Sequence, residues 1–277
     1  MSQEIKSETV SVPWTGLDVL LFLGVWLIAQ VACGIFVASV SPLLPQPLAQ
    51  AATDKAQEQA GTNEGKKHYG HPIQQLVKQS INSPMVFLIA FLGAVVAAPL
   101  IEEFLFRLLL QGWLEAKCAQ FRVPCASGVA ITAVSLFFAK IHAGNKGILD
   151  GQTLFYLLCA GTVTSLLIFF AGLIYLAEMR NVNAASCLFG AERFSPTHFF
   201  RYAGYCLLTL VFIFGISFIL NTLCPDTNTD PIPLFFFSLL LGTLYSRTRN
   251  LAYCIFLHAL LNLTSLILIW CDSANVY

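Results

Sequence analysis

Residues 98–107 read APLIEEFLFR and place three charged side chains inside an otherwise apolar run. The run, Met85–Leu114, is longer than the roughly 20 apolar residues that a helix needs to cross a bilayer. Each charged side chain at the centre of such a helix costs about 2.5–3.5 kcal/mol on insertion scales. We therefore expect the three side chains to face protein or a water-filled cavity rather than lipid.

The spacing of the charges predicts different surroundings for the two glutamates. Glu103 and Arg107 are four residues apart, so on a helix they share a face and can form an ion pair. Glu102 points about 100° away from its neighbour and lies outside that pair. Pro99 has no N–H, which predicts a kink or a new helix start just before the acids. A new start would place both carboxylates in a first turn, where the helix dipole favours negative charge.

The composition assigns the chain to the membrane. Its 277 residues are 57% hydrophobic and only 11% charged, whereas soluble domains carry about 25% charged residues. The net charge is zero, which argues against nucleic acid as a partner because phosphate binding needs clustered lysine and arginine. The predicted fold class is an all-α polytopic membrane protein in the lipid bilayer, with a polar active-site cavity.

Apolar runs predict about seven transmembrane helices, within a range of six to eight. The segments between them include predicted loops at 41–84, 115–124 and 144–152 and a polar segment at 180–195. We divide the chain into an N-terminal helix with a polar proline-rich loop (1–84), a core (85–271) and a short polar tail (272–277). The predicted spans are Trp14–Val40, Met85–Leu114, Ala126–Ala143, Thr153–Met179, Phe199–Leu223, Leu234–Ser246 and Leu251–Cys271.

Polar side chains are concentrated on three of these spans. His142 ends one helix, and Asn262 follows His258 by one turn in the last helix, so these two share a face. Two other long spans, 153–179 and 199–223, carry nothing comparable and are predicted scaffold. A structural ion pair near the membrane interface would explain only the charged residues at 102–107. The uneven loading instead predicts a shared polar centre of Glu102, Glu103, Arg107, His142, His258 and Asn262.

Such a centre has the groups that peptide hydrolysis needs. A carboxylate or an imidazole can take a proton from water, and imidazole and amide N–H groups can stabilise an oxyanion. Alternatively, Glu102, His142 and His258 could ligate a divalent metal such as Zn²⁺, although the sequence has no H-E-x-x-H motif. Asparagine is a poor metal ligand beside imidazole but a good oxyanion donor, which favours metal-independent hydrolysis.

Three motifs on separate spans carry a family resemblance. E-E-x-x-x-R at 102–107, F-x-x-x-H at 138–142 and H-x-x-x-N at 258–262 resemble the CPBP intramembrane proteases. That family includes the Ras-converting CAAX prenyl endopeptidases and the bacterial Abi, or bacteriocin-immunity, proteins. The likeness covers about residues 85–271.

The resemblance implies roles for the polar residues. It implies that Glu102 and His142 activate the attacking water and that His258 and Asn262 hold the oxyanion. Glu103 and Arg107 would orient the helix that carries the acids. Older descriptions of the family treat the same glutamate and histidine residues as metal ligands. The family often has glycine after the arginine, where this chain has Leu108.

The predicted function is an integral-membrane endopeptidase of a bacterial cytoplasmic membrane. Its partner would be a membrane-associated peptide or protein substrate, with CAAX-type prenylated proteins as one class. The alternative is a non-catalytic membrane scaffold or immunity protein that regulates a membrane partner, but a scaffold does not need a costly buried polar centre. A transporter would predict half-helices in paired repeats, and the chain shows no internal repeat.

Overall fold

The computed structural model describes residues 12–40, 84–142, 151–189, 204, 208, 211–216, 219, 222–223 and 231–274. Every regular element in these ranges is helical, which confirms the all-α prediction. We number them α1 (Gly16–Val40), α2 (Pro84–Phe91), π1 (Leu92–Ala97), α3 (Ala98–Glu103), π2 (Phe104–Gln111), α4 (Gly112–Gln120), α5 (Ala126–His142), α6 (Gly151–Arg180), α7 (Ala184–Phe189), α8 (Pro231–Thr248) and α9 (Leu251–Ala274).

Four of the described helices are long and apolar enough to cross a membrane, and α5 is a shorter apolar helix. The polytopic membrane prediction is therefore confirmed, while the number of about seven spans stays a prediction. The predicted span Phe199–Leu223 and the predicted loop 41–84 lie largely outside the described residues. The four long spans are Gly16–Val37, Phe87–Gln120, Tyr156–Arg180 and Leu251–Cys271.

Several predicted loop boundaries are wrong. Residues 115–120 were predicted to lie in a loop but belong to α4, which continues to Gln120. Arg122 follows the helix in the left-handed region (φ 56°). The polar segment 180–195 contains α7. This helix begins where the Asn183 side chain accepts the N–H groups of Ala185 and Ser186, a standard N-cap. The last helix also continues to Ala274, into the predicted tail.

The helix that carries the acids does not restart at Pro99. The segments α2, π1, α3, π2 and α4 follow one another without a break, so the predicted new start, with both acids in its first turn, is wrong. Instead, the helix widens into the π form before the proline, where the Ala98 N–H donates to the carbonyl of Gly93 five residues earlier. Such π segments occur frequently at functional sites.

The described residues divide into two compact units. The first unit draws on 1–23, 102–144 and 171–257, and the second on 24–101, 145–170 and 258–277. In the first unit, a Cβ at Gly242 of α8 would lie 2.8 Å from Ile131 of α5, so glycine permits this close packing. In the second unit, a Cβ at Gly93 would lie 2.8 Å from Leu158 of α6.

An ion pair between a buried acid and a partly exposed arginine joins the start of α1 to the end of α6 within the first unit. Asp18 is only 2% exposed, and both of its carboxylate oxygens accept hydrogen bonds from Arg180 Nη2, at 2.7 and 2.8 Å. Tyr175 Oη donates to Asp18 at 2.7 Å, and the Thr15 N–H does so at 2.6 Å. Trp14, just before α1, is also buried.

Candidate functional site

Glu103 and Arg107 form the ion pair that their spacing predicts. Arg107 Nε donates to Glu103 Oε2 at 3.1 Å, and both side chains are fully buried. Arg107 Nη2 also donates to Ser238 Oγ of α8 at 2.8 Å, and the guanidinium lies 5.8 Å from the centre of the Phe138 ring. This cluster, called the dry cluster below, fixes the helix with the acids against α5 and α8.

Glu102 faces a different partner in the same unit. His142 Nε2 lies 3.6 Å from Glu102 Oε2, and the two side chains are 30% and 14% exposed. His142 Nδ1 lies 2.8 Å from the Phe138 carbonyl, and its ring stacks on that of Phe138 at 4.2 Å. A carbonyl only accepts hydrogen bonds, so Nδ1 carries the proton and Nε2 faces Glu102. We call Glu102 and His142 the open pair.

The polar stripe of the motif helix extends beyond the dry cluster. Gln111 Nε2 donates to the Gly242 carbonyl and to Glu115 Oε1, both at 2.9 Å, and Glu115 pairs with Arg249. Glu103, Arg107, Gln111 and Glu115 thus recur every four residues, all at most 2% exposed. Four α-helical residues overshoot a full turn by about 40°. The wider turns of π2 rotate less per residue and keep the stripe aligned.

His258 and Asn262 lie one turn apart on α9 in the second unit. His258 is 5% exposed, and Asn262 Nδ2 donates to the Ala94 carbonyl of π1 at 2.7 Å. Neighbouring side chains of α9, among them Ala259 and Leu263, pack on a buried apolar cluster of Ala90, Val95 and Leu266. The Asn262 amide is therefore held by a backbone group of its own unit.

Each predicted site residue thus has a described position. Glu102, Glu103, Arg107 and His142 lie in the first unit and His258 and Asn262 in the second, so the convergence of all six stays a prediction. Three buried polar residues were not predicted from the sequence: Gln111, Glu115 and Ser238. The repeat of polar residues at 103, 107, 111 and 115 is the signal that could have identified the first two.

Whether these residues could hold a metal ion depends on how many ligands they bring together. A catalytic zinc ion takes three protein ligands and a water molecule. Within either unit, the described residues bring together no three histidine, cysteine, aspartate or glutamate side chains in a metal-binding group. The open pair supplies two ligands, and the third metal candidate, His258, belongs to the second unit.

Comparison with known proteins supports the family resemblance. No curated protein and no solved structure matches the chain significantly. The family model of the Rce1-like, type II CAAX prenyl endopeptidases matches residues 84–191 and 184–264, more than half of the chain. The matched segments contain all six predicted site residues. The chain is an integral membrane protein that belongs to the Rce1-like family of CAAX-type intramembrane proteases.

Proposed function

We propose that this chain is an endopeptidase that hydrolyses a peptide bond in a membrane-associated, CAAX-type prenylated protein, in a bacterial cytoplasmic membrane. The observation that carries the proposal is the open pair. Nε2 of His142 lies 3.6 Å from the Glu102 carboxylate. A water molecule that contacts both groups can donate a hydrogen bond to the carboxylate. A carboxylate or an imidazole that takes a proton from such a water molecule turns its oxygen into an attacking nucleophile.

The reaction follows from that arrangement. The water oxygen attacks the carbonyl carbon of the scissile bond, and its proton passes to the open pair. His258 and the Asn262 amide donate to the oxyanion that forms, a contribution of about 3–4 kcal/mol per donor in well-studied hydrolases. The proton then moves to the leaving nitrogen, the C–N bond breaks, and a carboxylate and an amine result. The dry cluster holds the helix that carries Glu102 but exchanges no proton.

We further propose that no metal ion takes part. The dry cluster already occupies Glu103 with Arg107, and Asn262 is a better hydrogen-bond donor than a metal ligand. The alternative in which Glu102, His142 and His258 hold Zn²⁺ predicts that activity depends on the metal.

The test uses the purified full-length chain in proteoliposomes with a fluorogenic farnesylated peptide that ends in a CAAX sequence. We expect cleavage by the wild-type chain, incorporation of one ¹⁸O from H₂¹⁸O into the new carboxylate, and weaker cleavage of the unprenylated peptide. Glu102→Gln should abolish turnover, whereas Glu178→Gln, on an exposed residue of α6, should not. Full activity of Glu102→Gln would refute the assigned base. No cleavage of either peptide by the wild-type chain would support the scaffold alternative.

A further inference from the structure

The carbonyl of Ala94 in π1 lacks its usual helical donor. In an α-helix, this carbonyl would accept the N–H of the residue four positions later, Ala98. The Ala98 N–H donates instead to Gly93, five residues before it. The α-helical donor of Ala94 is therefore used elsewhere.

The alternative donor is excluded by the sequence. In the π pattern, the Ala94 carbonyl would accept the N–H of residue 99, and residue 99 is a proline without an N–H. Ala94 is only 9% exposed and Pro99 is buried. A buried carbonyl needs a partner, so both regular donors must be replaced by a group from outside the helix.

Asn262 supplies that group. Its Nδ2 donates to the Ala94 carbonyl at 2.7 Å, across 168 residues of sequence. A carboxamide carries two N–H donors on one planar group, so the bond to Ala94 uses one donor and fixes the direction of the other. The packing of α9 on Ala90 and Val95 holds the backbone of Asn262 in place.

We propose that Pro99 is a positioning residue for Asn262. By removing the N–H of residue 99, Pro99 keeps the Ala94 carbonyl open to the Asn262 side chain. That bond orients the second N–H of the amide towards the oxyanion. The orienting role rests on the proposed function, whereas the link between Pro99, Ala94 and Asn262 does not.

The link is tested by a double-mutant cycle in thermal stability with Pro99→Ala, Asn262→Ala and the double variant. Asn262→Ala in the wild-type background leaves a buried carbonyl without a donor and should lower Tm by roughly 3–8 °C. In Pro99→Ala, the new N–H of residue 99 can serve Ala94. We therefore expect Asn262→Ala to lower Tm clearly less in that background. If the fall in Tm of the double variant equals the sum of the falls of the two single variants, the link is overturned.

The orienting role is tested by kinetics on the farnesylated peptide. Pro99→Ala should lower kcat about tenfold with KM unchanged within about twofold, because the new N–H competes with Asn262. It should have no further effect in the Asn262→Ala background. Pro233→Ala is the matched control: this buried proline lies in the first turn of α8, where N–H groups have no helical acceptor, and we expect wild-type kcat.

A backbone variant separates the donor from the proline ring. The α-hydroxy analogue of alanine, incorporated at position 99 by nonsense suppression, has an ester oxygen where alanine has its N–H. We expect it to restore most of the kcat lost in Pro99→Ala. A kcat as low as that of Pro99→Ala would show that the ring matters and would overturn the proposal.

The outcomes also separate this proposal from the proposed function. Coupling in Tm without peptide cleavage by the wild-type chain rejects the proposed function and leaves the link standing. Cleavage with additive Tm values rejects the link and leaves the proposed function standing. Coupling in Tm with an unchanged kcat in Pro99→Ala rejects the orienting role alone.

Discussion

Glu102 and Glu103 are neighbours in the chain, yet their surroundings differ in almost every physical respect. Glu103 is fully buried and bonded to Arg107, which is itself bonded to Ser238. Glu102 is 14% exposed and faces the partly exposed ring of His142 at 3.6 Å. One helical step thus separates the dry cluster from the open pair.

The difference indicates how a costly motif can serve two purposes. The Glu103 carboxylate is held in a fully buried ion pair, where it can fix the helix in place. The partly exposed Glu102 carboxylate beside the His142 imidazole can take a proton from water. We therefore expect variants of the dry cluster to change stability and variants of the open pair to change turnover.

The largest expected effect is on the dry cluster. Arg107→Ala leaves the Glu103 carboxylate buried without its cation and should lower the free energy of unfolding by about 3–5 kcal/mol. Denaturant unfolding in detergent measures this. Arg247→Ala, on an exposed arginine of α8, is the control and should cost at most about 1 kcal/mol. If Arg107→Ala and Arg247→Ala lower the free energy of unfolding equally, the dry cluster has no special role in stability. Its distinction from the open pair would then be lost.

The corresponding change in the open pair should spare stability. His142→Asn can keep a donor for the Phe138 carbonyl but removes Nε2, so kcat should fall about 10²–10⁴-fold. The free energy of unfolding should stay within about 1 kcal/mol of the wild type. His142→Gln, which places an amide near the position of Nε2, is the companion variant. Wild-type kcat in His142→Asn would exclude the imidazole from the proton transfer.

A smaller effect sharpens the comparison within the dry cluster. Ser238→Ala removes the acceptor of Arg107 Nη2 and should destabilise the protein by about 1.5–3 kcal/mol, as expected for a bond to a charged group. Ser39→Ala is the matched control because its hydroxyl lies on an exposed part of α1. We expect it to cost less than about 0.5 kcal/mol. A loss of kcat without a loss of stability in Ser238→Ala would place the serine in the chemistry instead.

The smallest expected effect is that of metal removal, which should not change kcat. Exhaustive treatment with a strong chelator should leave kcat on the farnesylated peptide unchanged within about twofold, because the proposed chemistry uses only side chains and water. Metal analysis of the treated protein confirms removal. If activity disappears and one equivalent of Zn²⁺ restores it, Glu102, His142 and His258 are metal ligands and the water-activation proposal is wrong.

Local spacing predicted the ion pair of Glu103 and Arg107, and tertiary contacts account for what it did not predict. Glu103 and Arg107 lie on one face of any helix, so their pairing needed no knowledge of the fold. In the π form before Pro99, the Ala94 carbonyl accepts a hydrogen bond from Asn262, 168 residues away. A restart and a widened turn are both compatible with proline, and only the distant donor distinguishes them.

Hydropathy also hides buried polar residues at the ends of spans. Glu115 was predicted to begin a loop because the apolar run ends at Leu114. The helix instead continues to Gln120. Gln111 donates a hydrogen bond to the Glu115 carboxylate, and Arg249 supplies the opposite charge. Asp18, near the start of the first span, likewise accepts hydrogen bonds from Arg180 and Tyr175. A hydropathy value counts a charged residue but takes no account of the residue that pairs with it.

The ion pair of Asp18 and Arg180 has a consequence for biogenesis. The two residues are 162 positions apart, and ribosomes add about 5–20 residues per second. Roughly 8–30 s of synthesis therefore pass between the appearance of the acid and that of its cation. During that interval the carboxylate at the start of α1 must remain hydrated or protonated, because an isolated buried charge is too costly. The start of α1 can form this ion pair only after the ribosome has completed α6.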